Sequence, residues 1–166
     1  MFPNDFVIIT DAHDYLLHNY MNFDFIWSSP PCQTHSSFRK NICVRYRGTE
    51  AKYPDMKLYE EIIFLKTHAK CPWVIENVVP YYPPLLNPTI KLQRHLFWSN
   101  FKIEEKNFEK DKIRTVQIPE LELLHGFNLS EFRLKNKRQV LRNCVNPELG
   151  LHIFKMAFKE KQEVLT

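Results

Sequence analysis

The sequence predicts an α/β protein organised on a sheet, and three observations carry that prediction. Short apolar runs rich in β-branched and aromatic residues recur at 6–10, 23–27, 73–75 and 95–98, each ending on polar or proline residues. Between the second and third runs, Leu58, Ile62, Ile63 and Leu65 recur at helical spacing beside Glu60, Glu61 and Lys66. With 44% hydrophobic residues and 13 Phe in 166 positions, the chain can bury the core that such a layered arrangement needs.

Taken in order, residues 6–10 (Phe-Val-Ile-Ile-Thr) read as a buried strand stopping at Asp11, and residues 23–27 as a second strand stopping at Ser28-Ser29-Pro30-Pro31. Residues 33–55 lack a sustained period, contain Arg39, Lys40, Arg45 and Arg47, and read as a long basic loop. Residues 56–69 read as an amphipathic helix with Asp55 as its N-cap, stopped by Pro72. Trp73-Val74-Ile75 reads as a third strand ending at Glu76-Asn77. After a proline-rich connection over 80–88, residues 95–98 read as a fourth. Residues 120–125 suggest a short helix stopped near Gly126, and Pro147 opens a last helix running through Phe158.

Composition narrows the functions available. Only 3 Gly stand against 11 Pro, so a glycine-rich phosphate or nucleotide loop has nowhere to sit. A net charge of +4 permits a polyanionic partner without demanding one. The 4 Cys include no C-x-x-C pair, which fits reduced thiols in a cytoplasmic protein and gives no reason to expect a metal. No apolar run approaches the ~20 residues of a membrane span, and no signal-like start is present.

The polar residues that end the strands fall where ligands bind in open α/β sheets: Asp11, then 28–32, then Glu76-Asn77. Pro30-Pro31 would fix the backbone that presents Cys32. A free cysteine by itself is more often a small buried hydrophobe, and Glu76 alone reads equally as a strand end or helix cap. Their joint appearance at neighbouring strand ends is what singles them out.

Ser29-Pro30-Pro31-Cys32-Gln33-Thr34-His35-Ser36 is similar to the Pro-Cys-Gln-x-x-Ser motif of DNA cytosine-5 methyltransferases, and Ile75-Glu76-Asn77-Val78 to their Glu-Asn-Val motif. Between the two, Asp55-x-x-Leu58-Tyr59-Glu60-Glu61-Ile62 resembles the family's cofactor-side helix. Leu123-Leu124-His125-Gly126-Phe127 and Arg142-Asn143-Cys144-Val145-Asn146-Pro147 resemble its closing segments, with Arg142 in place of a glycine. The resemblance spans roughly residues 10–158.

The resemblance implies a Rossmann-like, three-layer αβα methyltransferase fold, with residues 1–166 as one partial catalytic domain and 100–126 as a reduced target-recognition region. It implies S-adenosylmethionine as cofactor, bound by Asp11, Pro31, Leu58, Asn143 and Val145. Double-stranded DNA would be the substrate, contacted by Gln33, Ser36, Arg39, Asn77 and Val78. Cys32 would be the nucleophile that adds to C6 of a flipped-out cytosine, and Glu76 the acid at the ring's N3. Lys91-Leu92-Gln93-Arg94-His95 occupies the place of a Gln-x-Arg-x-Arg motif. Arg94 is the preferred match because a guanidinium is a fixed bidentate donor, while a competing register puts Gln93 and His95 at the two arginine positions.

The family's Phe-x-Gly-x-Gly turn, with the first strands and helices around it, has no counterpart in these residues; a second polypeptide carrying that amino-terminal cofactor motif is the preferred explanation, beside a decayed or truncated remnant and a binding module that no longer methylates. The alternatives are a catalytically inactive DNA-binding or scaffold subunit, and a cytosine-5 methyltransferase acting on transfer RNA.

Overall fold

A computed structural model describes residues 7–108 and 116–159. These fall into two compact units divided between Lys102 and Ile103, each treated by itself. The first is a mixed α/β unit on a four-stranded sheet of order β1-β2-β4-β3.

In the first unit, α1 (Ala12–Asn19) opens at Asp11, whose carboxylate accepts hydrogen bonds from the backbone N–H groups of His13 and Asp14. β1 (Ile26–Ser28) follows, and a long connection leads to α2 (Lys57–His68). The helical spacing places Leu58, Tyr59, Ile62 and Leu65 on the buried face of α2, while Ile63 and Lys66 face solvent. Asp55 acts from one residue outside the cap at Met56, its Oδ1 accepting from the Lys57 amide at 3.1 Å.

β2 (Trp73–Val78) runs parallel to β1, with Ile26 beside Trp73 and Ser28 beside Ile75. A parallel pair requires a crossover, and α2 supplies it. β3 (Ile90–Leu92) and β4 (His95–Ser99) form a hairpin, and β4 pairs antiparallel with β2. Ile26, Trp73, Ile75, Leu96 and Trp98 pack from the sheet onto Leu58, Tyr59, Ile62 and Leu65. At about 1.5–3 kcal/mol for each large apolar side chain buried, this layer dominates the unit's stability.

The second unit contains α3 (Ile118–His125), α4 (Lys137–Asn143) and α5 (Pro147–Ala157). A Gln117–Glu120 capping box opens α3, and Gly126, with φ 72°, closes it in the left-handed conformation that glycine adopts without strain. Leu121, Leu129 and Leu141 form a small core, and His125 Nε2 lies 2.8 Å from the Leu141 carbonyl.

Several sequence expectations need correction. Residues 7–9 are not a strand, and Ile9 is 97% exposed; residue 6 of that expected strand lies outside the described residues. β-branched composition makes a strand only where a neighbouring strand accepts the ladder, and among the described residues, 7–9 have no strand partner. β2 continues through Glu76 and Asn77, which lie inside the strand rather than beyond it. Residues 33–55 include a π-helical turn at Arg39–Val44, and α1, β3 and α4 are elements that the sequence pattern did not predict. Among the described residues, no helix is long and apolar enough to cross a membrane.

Candidate active site

The parallel register of β1 and β2 fixes the site. With Ser28 beside Ile75, the chain leaves β1 as Ser29 and Pro30 next to Glu76 and Asn77. Asn77, 1% exposed, donates from Nδ2 to the Pro30 carbonyl at 3.0 Å, while its Oδ1 accepts from the Val78 amide. A buried amide therefore ties the Pro-Pro-Cys turn to the central strand.

Past Pro31 the chain turns on itself at Cys32, whose carbonyl accepts from the amides of His35 and Ser36, both at 3.1 Å. Beyond the turn, Ser36 bridges to Pro80, the Tyr81 amide donates to the His35 carbonyl, and the buried His35 ring meets the Tyr82 hydroxyl at 2.5 Å through Nδ1. Thr34 Oγ1 accepts from the Asp55 amide. The Cys32 turn is thus held from three directions: by Asn77, by the segment after β2, and by the approach to α2.

Cys32 is partly buried, and burial, reinforced by the negative charge of Glu76, pushes its thiol above the ordinary range against the opposing pull of Arg94. Burial likewise raises the carboxyl pKa of Glu76, although a Ser29 hydrogen bond and the charge of Arg94 act the other way. Each charge is therefore felt at the other's site, and ionising one group makes ionising the other harder. Trp27 Nε1 donates to Ser29 Oγ at 3.1 Å, linking the indole to the group that touches Glu76.

His95 Nε2 stands 3.3 Å from Glu76 Oε1, with both side chains about nine-tenths buried. That distance suits an ion pair, but burial lowers the His95 pKa to about 4, with Arg94 adding to the effect, while it raises that of Glu76. Burial therefore works against charge on either group, and the two side chains stand within hydrogen-bonding distance. Of the two registers considered for residues 91–95, the one containing His95 supplies the side chain that touches Glu76. Arg94, in the β3–β4 turn after the positive-φ Gln93, acts on Cys32, Glu76 and His95 through its charge.

The other expected site residues are placed less uniformly. Asp11 and Lys57 form an exposed 3.4 Å ion pair, which brings Asp11 to the start of α2 beside Leu58. Leu58 is 3% exposed and belongs to the core. Pro31 and Gln33 are exposed, Ser36 and Val78 are partly buried, and Arg39 donates from Nη2 to the Glu50 carbonyl. Asn143 and Val145 lie in the second unit, at the end of α4 and just before α5. In the first unit, the residues that would face S-adenosylmethionine therefore reduce to the exposed Asp11 carboxylate and Pro31, a partial fit with the expected donor set.

A separate cavity of about 240 Å³ lies between α1 and α2, lined by His13, Leu16, Leu17, Glu60, Glu61 and Phe64. Its buried carboxylate, Glu61, is already engaged by the Ser28 hydroxyl and by His13 at 3.1 Å, and serves to fasten β1 and α1 to α2. His95 is the functional candidate that the preferred sequence register passed over. The available signal was the period-2 spacing of His95 and Phe97 along β4, readable only once the hairpin that pairs Leu92 with His95 is placed. Compared with known protein families, with curated proteins and with solved structures, the chain shows no match.

Proposed function

We propose that the chain is the base-attacking part of a DNA cytosine-5 methyltransferase with a Rossmann-like sheet. A second polypeptide contributes the glycine-rich part of the cofactor site. The observation that carries this reading is that the charge of the buried Glu76 acts on the Cys32 thiol, whose turn Asn77 of the same strand ties down through the Pro30 carbonyl.

Cytosine C5 is a weak nucleophile, and a thiolate adding to C6 makes it a strong one. Cys32 gives up its thiol proton to solvent, Sγ forms that bond, and ring electrons move toward C5 and N3. Glu76 meets the charge growing at N3 by donating its carboxyl proton, a role that burial favours by raising its pKa. Asp11 and Pro31 would hold part of S-adenosylmethionine, which when bound would supply the methyl group to C5 and leave as S-adenosylhomocysteine. Loss of the C5 proton to a base and expulsion of Cys32 as thiolate then restore the aromatic ring. The base must leave the helical stack for any of this, at a cost of a few kcal/mol. Arg39, Lys40, Arg45 and Arg47 follow the nucleophile in sequence and are suited to holding the flanking phosphates.

The sheet edge supports the two-polypeptide reading. β1 is an edge strand, and the apolar residues 7–9 that precede α1 are exposed without a strand partner. An unpaired parallel edge is a ready template for further strands. The test is transfer of labelled methyl from S-adenosylmethionine to duplex DNA, with transfer RNA in parallel, using this chain mixed with a glycine-rich amino-terminal methyltransferase fragment. Label is expected in DNA and lost with Cys32→Ala. Label in RNA alone assigns the substrate to RNA. DNA binding without transfer, unchanged by Cys32→Ala, overturns the enzyme reading.

A further inference from the structure

The β2–β4 pairing places Glu76 opposite Phe97 and Val78 opposite His95. Alternate residues share a sheet face, so Glu76 and His95 emerge on the same side, one residue pair apart. From this geometry and the 3.3 Å contact, we infer that His95 is the positioning residue for Glu76, holding Oε1 through a hydrogen bond donated by Nε2. The inference rests on reading Cys32 and Glu76 as the reacting pair.

The hydrogen-bond inventory decides the imidazole's tautomer. His95 Nδ1 is buried without a partner. A buried N–H with no acceptor is the rarer and costlier orphan, so the proton belongs on Nε2 and Nδ1 carries a bare lone pair. Nε2 then donates to Oε1, and the carboxyl proton of Glu76 resides on Oε2. The charged and titratable groups acting on the pair are Cys32 from the turn after β1 and Arg94 from the hairpin, and the Ser29 hydroxyl also hydrogen-bonds Glu76. Burial keeps the imidazole neutral, so it does not compete for the proton that the reaction uses.

The consequence is a division of labour within one carboxyl group. As the Cys32 Sγ–C6 bond forms, the Oε2–H bond breaks, the proton passes to ring N3, and the bonding pair remains on the carboxylate. That new carboxylate is buried, and the Nε2–H already aimed at Oε1 stabilises it with no reorganisation. A guanidinium here would place a full positive charge on Glu76 and favour its ionised form before the base arrives. The neutral imidazole adds no such charge, and burial continues to favour the protonated acid.

Two readouts on the full chain test this. The first is the titration midpoint of Glu76, followed by isotope-edited carboxyl infrared or NMR. The second is the rate at which Cys32 forms a covalent adduct with duplex DNA carrying an electrophilic pyrimidin-2-one at a mismatch. In His95→Leu the midpoint is expected to move upward and the adduct rate to fall about tenfold or more, the cost of one hydrogen bond to a charged group. His95→Gln, which keeps a neutral N–H donor, is expected to restore both to within about twofold of wild type. Near-UV circular dichroism identifies a variant that fails to fold, and His95→Asn then replaces His95→Leu as the short-armed control. An unmoved Glu76 midpoint in a folded His95→Leu, with adduct still forming in the wild type, overturns the role of His95 and leaves the reacting pair intact. A wild-type chain that forms no adduct overturns both.

Discussion

Around Cys32 the polar groups are tied down: Asn77 holds the Pro30 carbonyl, the Cys32 carbonyl closes its own turn, and Glu76 is met by Ser29 and His95. Around Asp11 the chain is open: the carboxylate is exposed, the preceding apolar residues have no strand partner, and Leu58 is spent in the core. Both lie on the segments leading to α2, yet only the first is organised to hold reacting groups within the narrow tolerance that chemistry requires. On the proposed reading, the chain supplies the first by itself and draws the second from a partner.

Substitutions on the two sides should diverge accordingly, and the core contrast is the largest. Phe97, fully buried beside Glu76 in the register, should lose about 3–5 kcal/mol of stability on Phe97→Ala. Ile9→Ala should change stability by less than about 0.5 kcal/mol in denaturant titrations of the chain alone. A comparable loss at Ile9 would mean that residues 7–9 are packed after all. Next comes Asn77→Ala, which leaves a buried carbonyl without its donor. Unfolding should become easier by about 1–3 kcal/mol, and iodoacetamide should modify Cys32 with an altered rate while Cys71 is unaffected. An unchanged Cys32 rate would show that Asn77 does not hold the turn.

A pH effect ranks third. The His95 pKa is depressed to about 4, so the stability that the neutral ring contributes is fully present above the unfolded value near 6.5 and is lost as pH falls through about 4. Glu76, raised, acts in the opposite sense: its contribution is present below the ordinary glutamate range and lost as pH rises through its folded value. The melting temperature of wild type should therefore fall more steeply between pH 6.5 and 4 than that of His95→Gln, and parallel curves would contradict the neutral, buried imidazole. The smallest effect is expected at the open side. Lys57→Ala, which removes an exposed partner of Asp11, should shift the melting temperature by less than about 2 °C.

Much of the first unit was legible in the sequence. Spacing at 58, 62 and 65 located α2 to within a residue or so, because a single apolar stripe against a sheet leaves a strong 3.6-residue period. Trp73-Val74-Ile75 and residues 95–98 were equally readable as strands buried on both faces. Residues 6–10 misled because a strand is a property of two segments, and composition reports only one. β3 escaped because its turn, Gln93-Arg94, lacks the glycine or asparagine that marks a tight hairpin. Within the site, Cys32 and Glu76 were found by motif, whereas the position of His95 beside Glu76 depends on strand register, which sequence does not display.

The central claim is that Cys32 is a nucleophile aimed at a pyrimidine ring and not a buried thiol. The most direct measurement is a denaturant-stable complex between the 166-residue chain and duplex DNA with pyrimidin-2-one at a mismatch, followed by mass mapping of the modified peptide. The account predicts a single adduct on Cys32, absent in Cys32→Ala and slowed in Glu76→Gln. No adduct under conditions where the DNA is bound, or an adduct confined to Cys43, Cys71 or Cys144, would contradict it.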